Sequence, residues 1–129
     1  MTKASELKSK LIRSFAKPDD TWQTSDRAPH YDGAVGKRLA PGTAAKQMGL
    51  SVDIVPPGKR SCPYHFHYAE EEAFIVLEGS GTLRVAGEML PIAAGDVIFI
   101  PPGPEYPHQI LNTSDAPLKY LSLSVNAEL

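Results

Sequence analysis

His65 and His67 stand two positions apart, Glu72 follows five residues later, and His108 comes some forty residues further along the chain. Imidazole nitrogen and carboxylate oxygen are the donor types of a four-ligand metal site. On a β-strand, whose side chains alternate with a period of two, His65 and His67 project from one face, close enough to chelate a single ion. On a helix they would diverge. Glu72 heads residues 72–77, a run rich in β-branched and aromatic side chains that reads as the next strand, with the carboxylate on the same face as Phe74 and Val76. That parity favours Glu72 over its neighbour Glu71, and Glu70 and Glu71 are expected to be solvated. His108 must be returned from a distance by the fold.

The elements that bring these residues together read as many short strands. Candidates cover residues 50–55, 64–68, 72–78, 81–85, 88–92, 97–100, 108–112 and 119–125, with turns at Gly79, Gly87 and Gly95, where Asp96 is placed to cap the turn. Twelve prolines and ten glycines punctuate them, as expected of an all-β antiparallel barrel or sandwich. In the strand at 72–78 the opposite parity carries Ala73, Ile75 and Leu77, so both faces are expected to be buried and something must cover the outside. Residues 5–15 read as a helix, with Leu7, Leu11, Ile12 and Phe15 at helical spacing, Ser5 as its cap and Pro18 ending it. From 19 to 49 the chain reads as an irregular arm with only short strands such as 37–39; Trp22 and Tyr31 are expected to cover apolar surface on the outside of the barrel.

Composition narrows the function classes. The 129 residues, 42% of them hydrophobic, suffice for one domain with one core. A net charge of −2 and a pI near 6.1 give no basic surface for nucleic acid, and Lys8, Lys10 and Arg13 read as the wet face of the helix. Cys62 is the one cysteine, so no internal disulfide can form; it reads as a small buried hydrophobe, and a reducing cytosol fits. No apolar run has the length to span a bilayer, and residues 1–10 lack the hydrophobic stretch of a signal peptide, which predicts a cytoplasmic protein with no membrane partner. Asn112, Thr113 and Ser114 spell a glycosylation acceptor that would stay unmodified without export.

The glycines and prolines around the ligands complete two motifs. Gly58 precedes His65 and His67, and Gly79 follows Glu72 after six intervening residues. Gly95, Pro101 and Gly103 lead into His108, with Asn112 four positions beyond it. Over residues 49–124 the chain resembles a cupin, of the small single-domain kind with a conserved barrel. The resemblance implies an antiparallel double-stranded β-helix, or jelly-roll barrel, over residues 49–129, with a short helix and extended arm in 1–48 packed on it. It also implies one divalent transition metal inside the barrel, on His65, His67, Glu72 and His108, with Asn112 in a structural role; the spacing of Glu72 to Gly79 supports it over Glu71. Two spacings depart from the motif, six residues rather than five before His65 and four rather than two before His108, within the segment Pro104, Glu105, Tyr106 and Pro107. Both lie in loops and so bear on the shape of the pocket mouth. Cupins commonly pair through their outer surfaces, which predicts a homodimer.

The implied donor set suits iron(II), manganese, zinc, nickel or cobalt better than calcium or copper(I). Four protein ligands on an octahedral ion leave two open positions, which favours a working metal over one that merely stabilises a scaffold. An apolar interior is expected to take a small-molecule ligand. Tyr64 and Tyr106, beside the ligand loops, and Phe74 and Phe99, inside the barrel, are its candidate contacts. Arg84 alternates with Leu83 and Val85 and is expected to point outward, and the lone His30 is not expected at the site. No second acid or base can be assigned from spacing. The expected function is a metal-dependent isomerase, decarboxylase or dioxygenase acting on a small oxygenated metabolite; the alternative is a non-catalytic module that binds a sugar or small acid and reports its presence.

Overall fold

A computed structural model describes residues 2–29 and 31–126. Nine strands follow one helix, α1 (Lys3–Leu11): β1 (Gln23–Arg27), β2 (Tyr31–Arg38), β3 (Met48–Val55), β4 (Glu70–Glu78), β5 (Ser80–Val85), β6 (Glu88–Ala93), β7 (Val97–Ile100), β8 (His108–Leu111) and β9 (Leu118–Asn126). They form a six-stranded sheet in the order β1-β2-β3-β9-β4-β7 and a three-stranded sheet in the order β6-β5-β8. Neighbouring strands pair antiparallel throughout. This is the expected all-β jelly-roll barrel with a short N-terminal helix.

Alternation along the strands sorts side chains into two apolar layers. Between the sheets, Phe74 and Val76 of β4 meet Leu118 and Tyr120 of β9, Val55 of β3, Leu83 of β5, Ile100 of β7 and Ile110 of β8. On the outer face of the larger sheet, Trp22, Leu39 and Val52 form a second cluster flanked by Phe15, Leu50, Ile54 and Leu121. Trp22 thus covers the outside of the sheet, as expected of it.

The chain before residue 49 is more regular than its composition implies. β1 and β2 add two strands to the edge of the sheet, with Gly36 opposite Asp53 and Val35 opposite Ile54 in the β2–β3 ladder, so this segment is part of the sheet and not an irregular arm laid over it. The helix is shorter than the predicted 5–15 and is capped by Thr2. Its side chain accepts the Ser5 N–H at 3.1 Å, and Ser5 answers as the third residue of a capping box. It stops at Leu11 because Ile12 is already extended, and none of its residues is buried; Leu11 is 64% exposed. Lys8 and Lys10 lie in the last turn, where positive charge suits the helix dipole. Among the described residues, no helix is long and apolar enough to cross a membrane.

Two motif residues act through the backbone. Gly79 has φ +83°, and a Cβ there would run into the Pro117 carbonyl oxygen, so only glycine fits the β4–β5 turn. Asn112 is buried; its Nδ2 donates to the carbonyls of Val55 at 2.7 Å and Ala116 at 2.8 Å, and its Oδ1 accepts from the Ser114 N–H. Replacing Asn112 with alanine orphans the buried Val55 carbonyl and is expected to lower stability by about 2 kcal/mol, read from urea unfolding midpoints at constant m.

Candidate metal centre

The histidine pair is set by a loop, where a strand was expected. Residues 64–68 pair with the rest of the barrel only through a bridge between His65 and His108, in which the His65 N–H donates to the His108 carbonyl at 3.1 Å and the His108 N–H returns a bond at 2.8 Å. The His67 carbonyl is taken by the N–H of Gly103 at 2.8 Å, so a loop from the second motif occupies the edge a ladder would have used. Strand-like alternation nevertheless survives. Phe66 and Tyr68 pack ring to ring at 5.1 Å, and the imidazoles of His65 and His67 lie 4.8 Å apart. The bridge also delivers His108 from β8, with its ring 4.7 Å from that of His65.

His65, His67 and Glu72 offer ligand atoms that all lie within 4.8 Å of one another, a group that could hold an ion. Glu72 Oε1 is 3.3 Å from His67 Nε2 and 3.1 Å from His108 Nε2, which adds the fourth donor. The residues fit a divalent metal on two counts. Adjacent ligands at about 2.1 Å from a six-coordinate ion sit about 3.0 Å apart, close to the spacings seen. Further, the His65 Nδ1 is 2.6 Å from the Pro63 carbonyl and the His108 Nδ1 is 3.0 Å from that of Tyr106. A carbonyl only accepts, so each Nδ1 carries a proton, and in the neutral imidazole the Nε2 lone pair is then the one offered to a metal. Glu72 Oε1 and His108 Nε2, with side chains 11% and 1% exposed, face each other buried at 3.1 Å, with no hydrogen-bond partner besides one another. Burial alone would raise the Glu72 carboxyl, but His108 and then His67 and His65 more than offset it and hold it below its ordinary value. The His108 imidazole is raised, since Glu72 and the Tyr106 carbonyl outweigh its desolvation.

His65, His67 and Glu72 line a cavity of about 390 Å³ whose opposite wall is polar, a correction to the apolar interior expected from sequence. Ser51 and Asp53 of β3 and Ser122 and Ser124 of β9 turn inward there, with Ser61 beside them. Burial pushes the Asp53 carboxyl up to about 6. It also pushes the Cys62 thiol to about 11, with the Asp53 charge adding to the effect, so Cys62 stays a protonated, unreactive thiol.

The remaining candidates separate. Phe74 lines the cavity, its ring 5.7 Å from that of His108. Phe99 does not: it pairs with Ala73 on the outward parity of β7 and is 74% exposed, while its neighbours Ile98 and Ile100 turn inward. The Tyr64 hydroxyl accepts the Gly87 N–H at 3.1 Å, and the Arg84 guanidinium stacks on its ring at 4.1 Å, which holds both as packing on the outside of β5. Tyr106 is exposed and contributes its backbone carbonyl. Glu71 is exposed as expected, but Glu70 shares the face of Glu72, lines the cavity and sits 3.8 Å from His67 Nδ1, where it can orient that ring. His30 lies outside the described residues.

The fold is a jelly-roll β-barrel in which His65, His67 and Glu72 could hold an ion, with His108 beside them. The Cupin domain family matches residues 51–124, and the chain belongs to it. It is 36% identical to an uncharacterised protein of Methanocaldococcus jannaschii over 72% of this chain and 74% of that one. An oxalate-binding protein of Thermotoga maritima is 37% identical over 55% of this chain, and the match spans 56% of the relative's length. Among solved structures, a sugar phosphate isomerase of the cupin superfamily from Silicibacter pomeroyi superposes with a TM-score of 0.73 at 26% identity, covering 82% of this chain and 71% of that one.

Proposed function

We propose that this protein is a metal-dependent enzyme acting on a small, oxygen-rich metabolite, with one divalent transition ion held by His65, His67, Glu72 and His108. The observation that carries the reading is the grouping of His65, His67 and Glu72 ligand atoms within 4.8 Å of one another, with His108 Nε2 buried 3.1 Å from Glu72 Oε1. Such an ion supplies Lewis acidity toward substrate oxygen. The hydroxyls of Ser51, Ser61, Ser122 and Ser124 suit a substrate bearing several oxygens, and the sugar phosphate isomerase among the similar structures favours isomerisation over decarboxylation or oxygenation. A second reading, a module that binds a small acid without changing it, draws support from the oxalate-binding relative and from Arg38 at the cavity wall, whose guanidinium can clamp a carboxylate. Loading the metal-free protein with iron(II), manganese, zinc, nickel or cobalt in turn, measuring bound metal, and following sugars, sugar phosphates and dicarboxylates by NMR decides between them. Turnover supports the enzyme; saturable binding of an unchanged compound supports the module.

The protein is further proposed to form a homodimer in a reducing cytosol. Val97 and Phe99 leave an apolar strip exposed on β7, at the edge of the larger sheet, and burying it in a pair would remove that edge. Replacing Phe99 with lysine is expected to shift the mass measured by analytical ultracentrifugation from dimer to monomer.

A further inference from the structure

Asp53 is a carboxylate that the fold accommodates at some cost and does not use. It sits on the inner face of β3, opposite Gly36 on β2 and Tyr120 on β9. A Cβ on residue 36 would stand 2.5 Å from Asp53 Oδ1, so the carboxylate lies across β2 in space that only glycine leaves open. Among the described residues, this carboxylate has neither a hydrogen bond nor an ion pair. It lines the metal cavity and also a second cavity of about 420 Å³ bounded by β1, β2 and β3; the two share Arg38, Ser51, Asp53 and Ser61, so Asp53 stands where they adjoin. A charged group without a partner in a desolvated cavity is costly structurally and is the usual setting of a proton-transfer group.

We propose that Asp53 is the catalytic acid–base residue of this site, moving a proton between adjacent carbons of a hydroxy-aldehyde or hydroxy-ketone whose oxygens face the four metal ligands. The assignment rests on the enzyme reading above and deepens it, since it selects proton transfer as the chemistry. The carboxylate takes the proton from the hydroxyl-bearing carbon; that C–H bond breaks, its electron pair forms a double bond to the neighbouring carbonyl carbon, and the π pair of that carbonyl moves onto its oxygen, giving an enediolate. A hydroxyl proton passes from the first carbon's oxygen to the other oxygen, the oxygen that lost it forms the new C=O, and the C=C pair takes the proton back from Asp53 at the neighbouring carbon, which yields the isomer. The balance needs no oxidant, reductant or second substrate. A carboxyl held near pH 6 can both take and return a proton around neutrality. The titratable and charged groups placed around it are Lys37 and Arg38 from β2, Tyr120 from β9, Cys62 from the loop after β3, and His65, His67, Glu70 and Glu72 across the metal cavity.

The test uses the metal-loaded protein in D2O with a panel of aldoses, ketoses and their phosphates, following deuterium incorporation by NMR beside product formation. Asp53→Asn is expected to lower kcat by at least about 100-fold with KM within about threefold. Asp53→Glu should recover part of the rate, and the acidic limb of the wild-type pH profile should vanish in the asparagine variant. Two readouts are independent of turnover: metal content, and calorimetric affinity for an unreactive sugar alcohol. Both should match wild type, which also shows that the variants fold. Deuterium exchange in Asp53→Asn at half the wild-type rate or more overturns the assignment and leaves the enzyme reading standing. An inert wild type that binds one of these compounds saturably overturns both.

Discussion

Replacing Glu72 with glutamine is expected to weaken binding of a divalent ion by at least about 100-fold, measured by elemental analysis after dialysis against buffered free metal. Loss of a second-sphere partner alone costs about 10- to 100-fold in such sites, and Glu72 supplies the one anionic donor among three neutral imidazoles. Glutamine keeps the length and volume of the side chain, so the loss reads charge and ligation and not a cavity. The same assay ranks the three consecutive acids. Glu71→Gln, on the solvent face of β4, should bind metal as wild type does, and Glu70→Gln, 3.8 Å from His67 Nδ1, should lose about tenfold. Were Glu72 only the ion-pair partner of a protonated His108, its loss would leave metal affinity untouched.

The barrel and the grouping of His65, His67 and Glu72 were legible in the sequence because each rests on short-range spacing. Period-two alternation put Glu72, Phe74 and Val76 on one face, and the burial along β4 follows that pattern. The glycines that mark the motifs are positions where backbone geometry leaves no choice, as at Gly79. Three things were not legible. The helix start depended on whether Thr2 or Ser5 accepts the first free N–H, and both residue types can cap. β1 and β2 lie in a segment broken by Gly33, Gly36 and Pro29; they exist because β3 offers an edge, a tertiary cause that no local pattern reports. The polar cavity wall was written plainly in residues 51–55 and 121–125, where Ser51, Asp53, Ser122 and Ser124 alternate with apolar side chains. Alternation alone does not say which face is wet. Here Trp22 and Phe15 cover the apolar parity from outside, which turns the serines and the aspartate inward. Phe99 fails in the mirror sense, as an aromatic residue on the uncovered parity of an edge strand.

That inward aspartate gives the second large effect, a stability that depends on pH with an unusual sign. The Asp53 carboxyl moves from an ordinary value of 3.8 up to about 6 in the folded protein, because desolvation disfavours its charge. Between those two values the native state binds more protons than the unfolded chain, so this group makes stability fall as pH rises. Its contribution is whole below pH 3.8 and gone above about 6. A shift of that size corresponds to about 2–3 kcal/mol at 1.36 kcal/mol per unit, and the neutral amide of Asp53→Asn avoids the penalty at every pH. The variant is therefore expected to be more stable than wild type by about 2–3 kcal/mol at pH 7.5, a rise in Tm on the order of 10 °C, and equal to it at pH 3.5. Comparing the two proteins at each pH cancels every other titrating group, including the histidines. A constant difference across the range would mean that Asp53 is held by a partner that offsets its charge. A difference that opens between pH 4 and 6.5 would show a carboxylate kept in the cavity against the interest of the fold, the stability–activity exchange expected of a residue whose use lies in chemistry.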